Sequence, residues 1–97
     1  MSNGRLERRI AKTVKLEVCP LDGSASKETT LTENVSGQGV RVVLHQKLQP
    51  RQEAVLISPT EGVRSTAKVV YCRRLADNRF AVGLELSKRV EAWAKSY

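Results

Sequence analysis

Six short runs of apolar–polar alternation constrain this chain more than any other feature of it. Successive side chains of a β-strand point to opposite faces, so a period of two marks a segment with one buried and one wet face. Val14, Leu16 and Val18 alternate with Lys15 and Glu17. Residues 29–32 form a short threonine-rich run of the β-branched kind that strands favour. Val40, Val42 and Leu44 oppose Arg41, Val43 and His45. Glu53 to Ser58 is a fourth run, stopped by Pro59 and Gly62. Residues 64–72 put Ala67, Val69 and Tyr71 on one face, and residues 79–86 do the same with Phe80, Val82, Leu84 and Leu86. Between the runs lie turn signals: Pro20 and the Asp, Gly and Ser that follow it, Pro50, and Asp77-Asn78.

Strands wet on one side fit an antiparallel sheet, not a parallel sheet covered on both faces. Six of them joined by short turns predict an all-β fold, a six-stranded antiparallel β-barrel. The tail changes period. Ser87 can cap a helix, and Val90, Trp93 and Tyr97 fall on one helical face, so a C-terminal α-helix is expected over residues 87–97. At 97 residues the chain is read as one domain, 1–97, with residues 1–12 a flexible basic arm.

Two short motifs carry the chemistry. Arg5-Leu6-Glu7-Arg8-Arg9 is an R-x-x-x-R just before the first run, and Asn34-Val35-Ser36-Gly37-Gln38-Gly39 is an N-x-S-x-x-G between the second and third. Two guanidiniums can fork onto phosphate oxygens or onto the O6/N7 edge of a guanine. A polar loop with glycines lets a base or sugar approach the backbone closely. Each motif also has a plain reading: a basic tail is commonly a solvated anion attractor, and Asn, Ser and Gly commonly build turns. A second register, Arg8 to Lys12, is open for the basic motif.

The charge balance, 17 Lys and Arg against 10 Asp and Glu for a net of +7, favours anionic partners. Only four aromatic residues are present and none cluster, which argues against a stacking platform for nucleic acid. His45 is the single histidine and falls on the wet face, so no metal site is expected. Cys19 and Cys72 make no C-x-x-C and read as reduced thiols of a soluble, cytoplasmic protein. No run is long enough to span a bilayer, and no signal peptide is evident. With no Ser-His-Asp set, no paired carboxylates at a glycine-rich turn and no P-loop, no enzymatic activity and no cofactor are expected.

The two motifs in this order, with residues 68–72 and the Phe80-Ala81-Val82-Gly83-Leu84-Glu85-Leu86 ending, resemble the PilZ domain family along nearly the whole chain. Asn in place of Asp at the first loop position is within that family's pattern. The resemblance implies a PilZ-like split barrel with a helix after its last strand. It implies a bacterial second-messenger receptor for cyclic di-GMP, which relays its signal through ligand-induced ordering of the N-terminal arm to an unnamed downstream protein. Arg5 and Arg9 would grip phosphates and guanine edges, and Asn34, Ser36 and Gly39 would contact a guanine and its neighbouring phosphate or sugar. Arg8 and Gly37 are additional candidate contacts. The alternatives are a small basic barrel binding nucleic acid and a ligand-free, protein-docking module of the same fold.

Overall fold

The computed structural model describes residues 11–23 and 25–93. Six strands appear: β1 (Lys15–Pro20), β2 (Glu28–Val35), β3 (Gly39–Leu44), β4 (Glu53–Ser58), β5 (Val63–Arg74) and β6 (Phe80–Leu86). All neighbours are antiparallel, in the order β1-β2-β3-β6-β5-β4, and β1 pairs with β4 as well as with β2. The ring is therefore closed, not split as the resemblance implied. Alternation sorts the side chains as expected. Leu16, Val18, Val40, Val42, Leu44, Leu56, Val69, Val82 and Leu84 are all buried in one core. Each such side chain withdrawn from water contributes about 1.5–3 kcal/mol before conformational entropy is subtracted.

Two bulges break the period. In β2 the pairing steps from Thr32↔Val42 to Asn34↔Arg41, which leaves Glu33 as the extra residue. In β5 it steps from Val69↔Leu84 to Tyr71↔Gly83, which leaves Val70 extra and 57% exposed. The second bulge corrects the expectation that Tyr71 shares a face with Ala67 and Val69. The inserted residue turns Tyr71 outward and sends Cys72 against the core. Tyr71 then lies flat on Gly83, where any Cβ would overlap its ring.

The expected C-terminal α-helix is also corrected: among the described residues only a 3-10 turn, Glu91–Trp93, follows β6. The segment after β6 docks on the barrel by its backbone, and its one turn closes with the Trp93 N–H donating to the Val90 carbonyl at 3.1 Å, the i→i−3 bond of a 3-10 turn. The Ser87 N–H donates to the Thr66 carbonyl at 2.9 Å and the Val90 N–H to the Gly37 carbonyl at 2.8 Å. Trp93 is still fully buried, as its apolar reading required, and plugs the barrel end formed by the β2–β3 and β4–β5 turns. Its Nε1–H donates to Glu61 Oε1 at 3.0 Å, and Lys12 Nζ donates to the same oxygen at 3.1 Å. Leu48, in the β3–β4 connection, is buried from the opposite end.

Two outcomes follow from this packing. Gly83→Ala must push the Tyr71 ring off its seat and is expected to cost about 1–3 kcal/mol in chemical denaturation, as overpacking does. The hydrogen bonds from Lys12, then from Trp93, hold the Glu61 carboxyl below the usual glutamate range. A folded-state value lowered in this way stabilises the fold above the ordinary glutamate pKa, and the contribution is lost as pH falls through the lowered value. Trp93 emission should therefore be constant near neutrality and shift on acidification with a midpoint below that of a free glutamate. The transition should be absent in Glu61→Gln.

Candidate functional site

Antiparallel pairing decides where the two motifs can meet. β1 runs against β2 with Leu16↔Thr30 and Lys15↔Leu31, so the chain before β1 continues toward the end of β2. Thr32 fixes that course. Its hydroxyl donates to the Lys12 carbonyl at 2.6 Å and accepts from the Val14 N–H at 2.9 Å. Asn34 follows two residues later on β2, and the N-x-S-x-x-G turn follows Asn34. The base of the basic segment and the turn thus share one end of the barrel. Arg5, Arg8 and Arg9 lie outside the described residues.

Within the turn, Ser36 is buried and acts on the backbone. Its Oγ accepts from the Gly39 N–H at 3.1 Å and the Gln38 N–H at 3.2 Å, while its own N–H donates to the Gly39 carbonyl at 2.8 Å. Gly37 is buried, with its carbonyl taken by Val90, and the Gln38 carbonyl accepts from the Leu86 N–H at 2.8 Å. The turn is therefore braced from both sides. Gly39 does not need a left-handed backbone. It needs to be small, because a Cβ there would stand 3.0 Å from the Leu84 carbonyl oxygen of β6. Asn34 is half-buried, on the outer face, in register with Arg41.

Sequence reasoning missed the rest of this outer face. Arg41 is partnered with Gly83, and Gly83 with Tyr71, so one row crosses four strands: Asn34, Arg41, Gly83, Tyr71. The Arg41 Nε–H donates to Glu33 Oε1 at 2.8 Å, and its Nη1 donates to the Tyr71 hydroxyl at 3.3 Å. The Glu33 carboxylate, then the Tyr71 oxygen, keep the guanidinium above its ordinary pKa, so it is charged throughout. The Arg73 guanidinium stands 5.6 Å from the Tyr71 ring centroid. A glycine in an otherwise apolar strand was the available signal for this arrangement.

Lys12, the end of the rival register, is engaged with Glu61. A shallow groove of about 360 Å³ runs over the β4–β5–β6 wall, between Glu53, Lys68 and Glu85. It sets a carboxylate on either side of one ammonium, which disfavours a phosphate-bearing ligand. His45 is exposed beside Glu28, and both cysteines are free. Among the described residues no His, Cys, Asp and Glu cluster could hold a metal, and no helix is long and apolar enough to cross a membrane.

No family model matches the chain, and no curated protein matches its sequence. Among solved structures it is similar to the Bacillus subtilis inhibitor of motility, MotI/DgrA, with a TM-score of 0.74 over 93% of this chain and 19% sequence identity. The match covers 47% of that chain, so the present chain spans about half its length. The likeness is one of fold: the closed six-stranded barrel described above is shared with a domain of that protein.

Proposed function

We propose that this chain is a cyclic di-GMP receptor domain of the PilZ type. The observation that carries the reading is the Thr32–Lys12 clamp. It puts Lys12, at the end of the basic segment, on the barrel end that carries the N-x-S-x-x-G turn. The motif resemblance, the barrel shared with the inhibitor of motility, and the net positive charge support the same reading.

In this mechanism Arg5 and Arg9 fork onto the phosphates and guanine edges. Asn34 presents an amide donor and acceptor beside them. Ser36 and Gly39 shape the turn that the ligand meets, Ser36 by accepting from its N–H groups and Gly39 by fitting closely against the Leu84 carbonyl. Lys12, engaged with Glu61, serves as a strut at the rim, and that engagement supports the Arg5/Arg9 register over Arg8/Lys12. Closure of the arm N-terminal to Lys12 over the ligand changes the surface offered to a downstream protein. Ordering them costs entropy, offset by charge-assisted hydrogen bonds of about 1.5–3 kcal/mol each.

Calorimetric titration tests the reading. Cyclic di-GMP should bind in preference to GTP and cyclic GMP, and with a gentle salt response. A steep loss of affinity with salt for RNA or DNA, without a preference for the cyclic dinucleotide, would instead mark a polymer binder. Arg5→Ala and Arg9→Ala should each cost about 1.5–3 kcal/mol, roughly 10- to 150-fold in affinity, and Lys12→Ala much less. Hydrogen exchange should show amides of residues 3–10 slowing on ligand addition.

The turn gives a separate signature. Asn34→Ala should weaken binding by about 0.5–1.5 kcal/mol with little change in stability. Ser36→Ala should lower both, because it strips the Gln38 and Gly39 N–H groups of the acceptor that braces the turn. Thermal melts beside the titrations distinguish the two variants.

A further inference from the structure

The outer face of β4 does not have the composition of a wet face. Ala54-Val55-Leu56-Ile57 is an unbroken apolar run, the pattern of a strand covered on both sides. Ala54 and Leu56 point into the barrel and are fully buried. Val55 and Ile57 point outward and are half-buried. Register extends this apolar surface to Cys19 of β1, which stands opposite Val55. On the other side, β5 sets Lys68 opposite Glu53, Thr66 opposite Val55 and Arg64 opposite Ile57. The two neighbouring strands thus differ in character. The outer face of β4 is acidic and apolar, and that of β5 is basic and polar. Among the described residues none of Glu53, Arg64 and Lys68 enters an ion pair, although Glu53 and Lys68 are register partners. A shallow groove of about 260 Å³ opens between Val55, Arg64, Thr66 and Lys88.

We infer that the β4–β5 wall is the contact face of a homodimer, in which two copies pack this wall against itself about a two-fold axis parallel to the strands. Such an axis lays β4 of each copy over β5 of the other with the cross-strand rows in step. Glu53 then meets Lys68 of the partner subunit, and by symmetry the contact is made twice. Val55 meets Thr66 of the partner subunit. Ile57 meets Arg64 of the partner subunit, whose methylene stem covers it while the guanidinium stays in water. A partner for this wall must carry a basic stripe beside an acidic, apolar one, and a second copy carries both. Two convex walls touch along their central strands only. The contact therefore falls below the ~800 Å² per partner of a standard interface, and the association is weak and concentration-dependent. The ring order puts β4 across the barrel from β3, and β5 across from β2. The dimer contact is thus on the side away from the two strands that flank the N-x-S-x-x-G turn, so the inference stands independently of the receptor reading.

Sedimentation equilibrium of the full chain and of its Glu53→Lys and Lys68→Glu variants tests the dimer, with chain concentrations from about 0.05 to 1 mM to reach a weak association. The average mass of the parent should rise with concentration toward twice that of the monomer. Each variant sets like charges against one another at both contacts and should associate at least about tenfold more weakly. An equimolar mixture of the two variants restores opposite charges at both contacts of the mixed dimer. It should associate within about threefold of the parent, which also shows that each variant is folded. A parent that stays monomeric over the whole range overturns the dimer and leaves the wall to a different protein. Variants that associate as well as the parent overturn this face. So does a mixture that stays monomeric while each variant melts like the parent. Titration with cyclic di-GMP on the same preparations separates the two proposals. A parent that dimerises but binds no cyclic di-GMP overturns the receptor reading alone, and one that binds it only as a monomer overturns the dimer alone.

Discussion

The pairing of β1 with both β2 and β4 is the constraint on which the rest of this structure depends. It closes the ring, so no strand edge is left to template pairing with another chain. It also forces the segment before β1 along the end of β2, where Thr32 bonds both the Lys12 carbonyl and the Val14 N–H. Without closure, Leu16 and Val18 would have no opposing wall, and the basic segment no defined departure point.

The barrel end that carries the N-x-S-x-x-G turn is tied together by polar contacts instead of a helix. Glu61 joins the base of the N-terminal segment, through Lys12, to Trp93 beyond the last strand. Val90 and Leu86 hold the carbonyls of Gly37 and Gln38. A perturbation at the turn therefore has a short path of hydrogen bonds to the C-terminal segment.

The two bulges have a common consequence. Each adds one residue to an outer-face strand, at Glu33 and at Val70, and each re-aims the side chain that follows. The first leaves Glu33 and Asn34 both outside, beside Arg41. The second brings out Tyr71, and Gly83 between Arg41 and Tyr71 removes the side chain that would separate them. A charged, partly aromatic patch on an otherwise ordinary barrel wall results.

Much of this molecule was legible in its residues. Alternation, a threonine-rich run and the turn signals between them located all six strands, with Glu53–Ser58 bounded correctly at both ends, because burial of one face favours such patterns. Asp77-Asn78 marked the last hairpin turn, where Asn78 adopts a left-handed backbone with φ of 66°. Trp93 was recognised as a core residue, although the helix meant to carry it is a single 3-10 turn. The helical spacing of Val90, Trp93 and Tyr97 is local, whereas the segment is anchored to the barrel through Thr66 and Gly37, partners far away in sequence. The motif positions Asn34, Ser36 and Gly39 were legible, but their division of labour was not. Local pattern cannot tell a hydroxyl that braces a turn from one that meets a ligand, or a glycine needed for positive φ from one needed beside a neighbouring carbonyl. Composition and alternation determined the strands, the core and the basic character. Register, closure and the two inserted residues were decided only in the tertiary structure, because they depend on which strands pair and how far one slides against the next.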